Sequence, residues 1–331
     1  MKRQNTVIYI CVIITLLNVA GLLFIACKSN SPIATASTPV QSSTSGYYSD
    51  AYMPEALTFA GETVPLQRLD VQEALRKELI INSYLHSHTI QILQTAPRVF
   101  QLMEPILEKN GIPEDFKYLA VIESRLNPQA QSPAGAVGVW QFLKGTGKEN
   151  GLEINNEVDE RYHIEKSTEA AAAYLKKAYE KFGSWTLAAA AYNAGAAMIS
   201  RQMDLQKETN YYNLLLGEET ERYVFRILAL KQIMNHPELY NFKVNTVYTF
   251  EKTETVEVKG PVKSWADFAQ EQGITYKTLK RFNPWLRKTD LKNPRHKTYT
   301  ISIPKKKRTV QIIKITLDEA RYLFIHFLLL L

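Results

Sequence analysis

The chain has 331 residues, a hydrophobic content of 45% and a formal net charge of +7 at neutral pH. This length predicts two domains with tails, and the hydrophobic content is enough for a buried core. Both cysteines, Cys11 and Cys27, lie in the N-terminal apolar segment. The rest of the chain therefore has no disulfide framework, thiolate metal site or cysteine nucleophile. The basic charge suits an anionic partner such as a phospholipid surface or an acidic wall polymer, or is a solubilising surface. Since no nucleic-acid-binding motif accompanies it, we expect no nucleic-acid partner.

Residues 1–27 are typical of a bacterial export signal, because two basic residues precede an almost wholly apolar run from Val7 to Ala26. A run of ~20 residues is just long enough to span a bilayer. It closes in Phe-Ile-Ala-Cys, which resembles a lipoprotein box, so we expect lipidation at Cys27. An uncleaved helical anchor is the alternative. Both place the body at a membrane on the periplasmic side of the envelope.

Residues 28–56 are rich in Ser, Thr, Pro and Ala and predict a flexible linker. Residues 57–240 carry apolar side chains at helical spacing, from residue 70 to 107 and onward, and predict an almost entirely α-helical domain. Pro113 marks the start of the helix that carries Glu123.

Later elements of this domain are predicted from caps and breakers. Residues 129–151 are rich in glycine and predict a loop. Ser167 is the expected N-cap of a helix from Thr168 to Phe182, and further helices end at Gly195 and span 219–235.

Residues 241–304 predict a small βααβ unit. Val244–Val258 alternates in the manner of a strand, two short helical patterns surround Trp265 and Leu279, and Tyr299–Ile303 reads as a closing strand. Residues 305–331 form a basic, then apolar, tail that is too short to span a bilayer.

Glu123 ends an apolar helical stretch that includes Leu119 and Ile122. Cleavage of a glycosidic bond needs an acid that protonates the leaving oxygen. A free Glu has a pKa of ~4.3, and burial against apolar groups must raise that pKa to ~6–7 before the carboxyl can donate at neutral pH. The alternative is a surface carboxylate paired with Arg125 or Lys117.

Three polar and aromatic clusters follow: residues 138–141 with Gln141, residues 191–195 with Tyr192 and Asn193, and residues 221–223 with Tyr223. Amides and phenols of this kind bind sugar hydroxyls. Each cluster alone is more typical of a core or a helix cap. The ordered set after Glu123 indicates a sugar-cleaving cleft.

This order of motifs resembles family 1 of the lytic transglycosylases over roughly residues 57–240. Glu123-Ser124 resembles the catalytic motif, residues 132–141 the Gly-Leu-Met-Gln block in a Trp-Gln form, and residues 191–195 and 219–224 the third and fourth motifs. The resemblance implies a mainly α, lysozyme-like domain around a glycan groove. It further implies Glu123 as catalytic residue and a substrate-binding set of Ser132, Gln141, Tyr192, Asn193 and Tyr223.

The family implies cleavage of the MurNAc–GlcNAc β-1,4 bond of peptidoglycan without water. Glu123 would act first as acid and then as base on the 6-hydroxyl of the same muramyl residue, leaving a 1,6-anhydro end. We expect no cofactor and no metal ion, and we expect a monomer whose partners are glycan strands and the membrane.

Two alternatives remain open for the domain. A hydrolytic muramidase would need a second carboxylate, for which the loop offers Glu149, Glu153, Glu157, Asp159 and Glu160. The Asp159-Glu160-Arg161 run is instead expected to brace that loop through ion pairs. A glycan-binding or scaffolding protein with a dead site is the other alternative.

The C-terminal unit resembles a LysM glycan-binding module in residues 264–269, 273–284 and 301–304. It departs from that family at residues 259–262, where Lys-Gly-Pro-Val replaces the usual Gly-Asp-Thr-Leu turn. The resemblance therefore implies the LysM fold, and a structural spacer is the alternative to a glycan-binding module.

Overall fold

The computed structural model describes residues 50–249 and 251–305. The predicted export signal, the lipidation at Cys27, the linker up to residue 49 and the tail from residue 306 lie outside the described residues. In the part that is described, no helix combines the length and the apolar character needed to cross a bilayer.

The larger lobe opens with a short antiparallel hairpin and two long helices. Strands β1 (Thr58–Phe59) and β2 (Glu62–Thr63) precede α1 (Leu69–Tyr84) and α2 (His86–Lys109). The helical pattern predicted over residues 70–107 is therefore confirmed, with a break at Leu85, whose ψ of 48° is not helical.

A 3₁₀ turn at Glu114–Phe116 leads into the helices that build the centre of this lobe. They are α3 (Lys117–Ser124), α4 (Lys144–Glu149), α5 (Ile164–Phe182), α6 (Trp185–Ala194), α7 (Ala196–Gln206) and α8 (Glu218–Asn235). The helix α8 packs against α1, α3 and α6. The segment of α3 from Leu119 to Val121 is fully buried, as is the alanine run of α6 from 188 to 191.

The predicted N-cap at Ser167 is wrong. The helix α5 begins at Ile164, and Ser167 lies buried in its first turn. The Ser167 hydroxyl donates to the carbonyl oxygens of His163 (2.7 Å) and Ile164 (3.1 Å). A serine that bonds back to the preceding turn is compatible with a helix interior, which the residue type alone does not reveal.

Glu62 caps α6 from a distant part of the chain. Its carboxylate accepts hydrogen bonds from the backbone N–H groups of Trp185 (2.5 Å) and Thr186 (2.9 Å) and from the Ser184 hydroxyl (3.0 Å). A negative charge at the start of a helix satisfies exposed N–H groups and complements the helix dipole. The N-terminal hairpin thereby fixes the helix that carries the third motif.

The C-terminal unit has the predicted βααβ order. It consists of β3 (Thr253–Val258), α9 (Trp265–Glu271), α10 (Tyr276–Phe282) and β4 (Tyr299–Pro304), and β3 pairs antiparallel with β4. The first strand is shorter than predicted, because β4 offers partners only to residues 253–258. Residues 244–249 form no strand and are mostly exposed.

The hydrophobic core of this unit extends into the larger lobe. Trp265 and Ile301 belong to it together with Val137, Val158 and Tyr162. The Arg287 guanidinium covers the Tyr162 ring at 3.8 Å from its centroid. The two halves of the described chain therefore share buried apolar surface.

An ion pair joins α1 to α8 through a buried carboxylate, Glu78, and a partly exposed arginine, Arg222. Arg222 donates to Glu78 at 2.7 Å, and Glu78 is only 2% exposed. The Arg222→Gln variant leaves a buried carboxylate without its cation, so we expect the free energy of unfolding to fall by about 2–4 kcal/mol. Urea titration measures this loss.

The matched control is Arg76→Gln, which also removes an arginine of an ion pair. Its partner is Asp50, and both side chains are exposed, at 41% and 58%. We expect a loss below about 1 kcal/mol. Equal losses in the two variants would contradict the assignment of Glu78 to the core.

Candidate functional site

Glu123 lies in the last turn of α3, at the point where that helix stops. Arg125 follows with a left-handed φ of 54° and closes the helix. The Ser124 hydroxyl donates to the carbonyl oxygen of Val139 (2.9 Å) and ties the end of α3 to the loop of residues 130–142. The termination of α3 places the Glu123 carboxyl between the buried helix and this loop.

The Glu123 carboxyl is partly buried, and desolvation raises its pKa to about 7. Tyr223 donates a hydrogen bond to Glu123 Oε1 and, with the positive charge of Arg226, opposes that rise. The negative charge of Glu219 adds to it. Burial is the largest of these effects, so the carboxyl exists as a mixture of acid and carboxylate near neutral pH.

The alternative of a surface carboxylate paired with a neighbouring cation is not what the structure shows. Lys117 pairs with Glu104 at 2.7 Å and also with Glu114. Arg125 is exposed beyond the end of α3. Glu123 therefore lacks the compensating lysine that would have kept its pKa low.

Two phenols stand beside this carboxyl. Burial raises the pKa of Tyr223 and of Tyr192 well above the usual range, and the charge of Glu123 raises both further. The Tyr192 hydroxyl donates to the carbonyl oxygen of Trp140 at 2.7 Å. Both phenols stay protonated at neutral pH and act as hydrogen-bond donors.

Gln141 and Ser132 build the loop of residues 130–142. Gln141 has a φ of 49°, and its amide donates to the carbonyl oxygens of Gly138 (2.8 Å) and Ala130 (3.3 Å). The Ser132 hydroxyl accepts from the backbone N–H of Ala136 at 3.0 Å. These two predicted sugar contacts therefore also stabilise the loop that lies against α3.

Asn193 joins two helices. Its side-chain oxygen accepts a hydrogen bond from the Thr220 hydroxyl at 2.9 Å, linking the end of α6 to the start of α8. Of the six predicted site residues, the structure brings Glu123, Tyr192 and Tyr223 into one electrostatic cluster. Ser132, Gln141 and Asn193 hold the surrounding elements.

Sequence reasoning missed the ion pair between Arg226 and Glu219, whose atoms lie 2.8 Å apart. Both charges act on the pKa of Glu123, in opposite directions. A signal was present, because Arg226 follows Tyr223 by three positions and so faces the same side of α8. Helical spacing from a suspected site residue was sufficient to find it.

Of the five acids proposed for a second catalytic carboxylate, Glu149 is exposed on α4 and the other four have partners elsewhere. Asp159 forms a bidentate pair with Arg161, as expected for a brace. Glu153 binds Lys297 (2.8 Å), Glu157 accepts from the Lys292 backbone (3.0 Å), and Glu160 accepts from the Glu153 backbone (2.7 Å). These four acids join the loop to itself and to the C-terminal unit.

Comparison with known families follows this division of the chain. Residues 102–215, which include Glu123 and Tyr192, match the family described as the transglycosylase SLT domain. The chain contains an SLT domain. Residues 254–307 match the soluble lytic transglycosylase C-terminal LysM-like domain. The predicted fold class, a helical lysozyme-like domain followed by a small LysM-like unit, is thus confirmed.

Individual relatives agree with this assignment. Membrane-bound lytic murein transglycosylase D of Escherichia coli K12 is 31% identical over 218 residues, which are 64% of this chain and 47% of that protein. Peptidoglycan transglycosylase gp16 of phage T7 is 31% identical over 131 residues, which are 38% of this chain and 10% of that protein. The chain spans less than half the length of these curated relatives.

Among solved structures, the 70 kDa soluble lytic transglycosylase of E. coli is similar at 21% identity. The similarity covers 45% of this chain and 26% of that chain, with a TM-score of 0.36.

Gly138 of the SLT domain predicts a steric test of the loop. A Cβ built at this position would lie 1.9 Å from the Arg161 carbonyl oxygen, and Gly138 has a φ of 83°. We expect Gly138→Ala to lower the free energy of unfolding by roughly 3 kcal/mol or more, since both overpacking and a left-handed φ cost energy. Thermal and urea unfolding measure the change.

Gly135→Ala is the matched control for this substitution. Gly135 has a φ of 81° but no atom within 4 Å of an added Cβ. Its expected cost is about 1–2 kcal/mol, from the backbone alone. The contact with the Arg161 segment is refuted if the two alanine variants prove equally stable.

The hydrogen bond from Tyr223 on α8 to Glu123 predicts a change in the titration of that carboxyl. This hydrogen bond stabilises the ionised form of Glu123, so Tyr223→Phe should raise the pKa of Glu123 above about 7. NMR titration of ¹³C-labelled glutamate measures this value. Tyr118→Phe is the control, because that hydroxyl donates to Asn235 instead. A pKa lowered by Tyr223→Phe would contradict the geometry.

Proposed function

We propose that this chain is a peptidoglycan lytic transglycosylase with Glu123 as its single catalytic acid and base. The observation that carries the proposal is the partly buried Glu123 carboxyl, which has a pKa of about 7 and accepts a hydrogen bond from Tyr223. The SLT domain and relatives named as murein and peptidoglycan transglycosylases support the same reaction class.

In the first step, protonated Glu123 donates its proton to the oxygen that bridges MurNAc C1 and GlcNAc C4. The C1–O bond breaks, the GlcNAc residue leaves as an alcohol, and positive charge develops at C1. The N-acetyl group of the muramyl residue stabilises that charge. A group with a pKa near the working pH suits this transfer, because it is both populated as the acid and acidic enough to donate.

In the second step, the Glu123 carboxylate takes the proton from the 6-hydroxyl of the same muramyl residue. The oxygen of that 6-hydroxyl bonds to C1, and a 1,6-anhydro ring closes. The nucleophile is intramolecular and can reach an effective molarity of ~10⁵ M or more, so no activated water is needed. The acid form of Glu123 is restored at the end of the cycle.

The remaining site residues are proposed to bind the glycan. Tyr223 orients the Glu123 carboxyl, and Tyr192 stands beside it. Gln141 and Asn193 are partly exposed, and amides such as theirs can donate to and accept from sugar hydroxyl and N-acetyl groups. Ser132 shapes the turn of the loop that would face the sugar.

The place of this activity is proposed to be the periplasmic side of the bacterial envelope. A lipid at Cys27, or an uncleaved helix before it, would hold a monomeric enzyme at the membrane, and residues 28–56 would let it reach the wall. The membrane-bound relative from E. coli supports an envelope location.

Wall digestion by the purified protein tests the reaction. We expect soluble fragments that are lighter by one water than hydrolysis products, as read by mass spectrometry. Glu123→Gln should lower the rate by at least about 10³-fold, since it removes the transferable proton. The exposed Glu180→Gln in α5 is the matched control and should retain full activity.

The pH profile adds a second criterion. Because the acid form of Glu123 starts the reaction, kcat/KM should fall as the pH rises through about 7. Reducing-end muramic acid would establish a muramidase instead. Absence of any cleavage would favour a glycan-binding scaffold.

A further inference from the structure

Arg161 has a buried guanidinium that takes no part in the proposed proton transfers at Glu123. Its Nε and Nη2 donate to the two carboxylate oxygens of Asp159 at 3.0 and 2.7 Å. Its Nη1 donates to the carbonyl oxygens of Gly135 and Phe142, both at 3.1 Å. A rigid planar fork of this kind fixes several acceptors in one geometry.

The two carbonyl oxygens belong to the loop of residues 130–142, and the Arg161 side chain therefore stabilises the conformation of that loop. The backbone of Arg161 contributes as well, since its carbonyl oxygen lies where a Gly138 side chain would have to be. Within the same loop, Val139 accepts from Ser124, and Trp140 accepts from Tyr192. Through this loop, Arg161 is thus connected to Ser124, which follows Glu123 in sequence, and to Tyr192, which lies beside its carboxyl.

On its other side, the Arg161 segment is bound by the C-terminal unit. The Asp159 N–H donates to the carbonyl oxygen of Trp285 at 2.9 Å, and the Arg287 N–H donates to that of Glu157 at 2.7 Å. Val158 is fully buried and pairs with Leu286 as an isolated antiparallel bridge. Residues 153–161 are therefore attached to the C-terminal unit through backbone hydrogen bonds and a buried side chain.

We propose that Arg161 is a positioning residue through which the C-terminal unit holds the loop of residues 130–142 against Glu123. The inference rests on the proposed function only for its kinetic consequence, because the mechanical link can be measured without substrate. The C-terminal unit then contributes to glycan binding in the SLT domain whether or not it binds glycan itself. It acts by fixing Gln141 and the carbonyl groups that hold Ser124 and Tyr192.

Amide hydrogen exchange on the full chain tests the link directly. Val158→Ala weakens the contact with the C-terminal unit, and Arg161→Lys keeps the charge but loses the fork. Both should accelerate exchange at Gly138 and Phe142, whose N–H groups bond within the loop. Val256→Ala is the matched control, since Val256 packs in the C-terminal core on β3.

Kinetics on soluble glycan strands separate positioning from simple loss of folded protein. A loosened loop should raise KM and lower kcat/KM by about tenfold to a hundredfold in Arg161→Lys, while the pKa in the pH profile stays in place. A merely structural role would lower kcat at unchanged KM, because fewer molecules would be folded.

The outcomes distinguish this inference from the proposed function. Exchange that accelerates in residues 153–161 but not in 130–142 after Val158→Ala overturns the link, whatever the activity. An unchanged KM in Arg161→Lys overturns the positioning role. If the two variants accelerate loop exchange but the wild-type protein never cleaves the wall, the proposed function is defeated and the link stays intact.

Discussion

The structure depends on the hydrogen bond between a carboxyl that water reaches poorly and a phenol that stays protonated. The Glu123–Tyr223 pair joins α3 to α8, the two helices at the centre of the larger lobe. Desolvation raises the folded-state pKa of Glu123 from 4.5 to about 7. Ionisation of this group therefore lowers the free energy of unfolding. The contribution of Glu123 to that free energy is full below pH 4.5 and is lost as the pH rises to about 7. A folded core that tolerates this cost is what supplies a proton donor at neutral pH.

Three elements far apart in sequence meet this constraint. Helix α3 ends at Ser124 and leaves Glu123 partly buried, while α8 brings Tyr223 and, one turn later, Arg226. The alanine run of α6 is fully buried. Tyr192 comes directly after this run and lies close enough to Glu123 for the charge of that carboxyl to act on its pKa. Glu62 in the N-terminal hairpin then fixes the first turn of α6. The electrostatics of one carboxyl thus rest on contacts from residue 62 to residue 226.

The sequence predicted the parts of this arrangement that local spacing determines. Apolar periodicity indicated the helices, and the order of motifs after Glu123 indicated which side chains would meet. It failed where a partner lies elsewhere in the chain. Ser167 resembles an N-cap, but its hydroxyl bonds back to His163, and residues 244–249 alternate like a strand but lack a pairing edge. The loop-building bonds of Gln141 to Ala130 and Gly138 likewise depend on a backbone path that residue types do not specify.

The shared apolar contact between the two halves bears on how this protein can be divided. A cut near residue 241, where the sequence texture changes, would separate Val137, Val158 and Tyr162 from the Trp265 and Ile301 side chains that cover them. The isolated helical fragment would then expose an apolar patch to solvent, and such patches promote self-association. Shortened forms intended for crystallisation or for grafting onto other enzymes should keep residues 253–304 attached, or replace those three apolar side chains with polar ones.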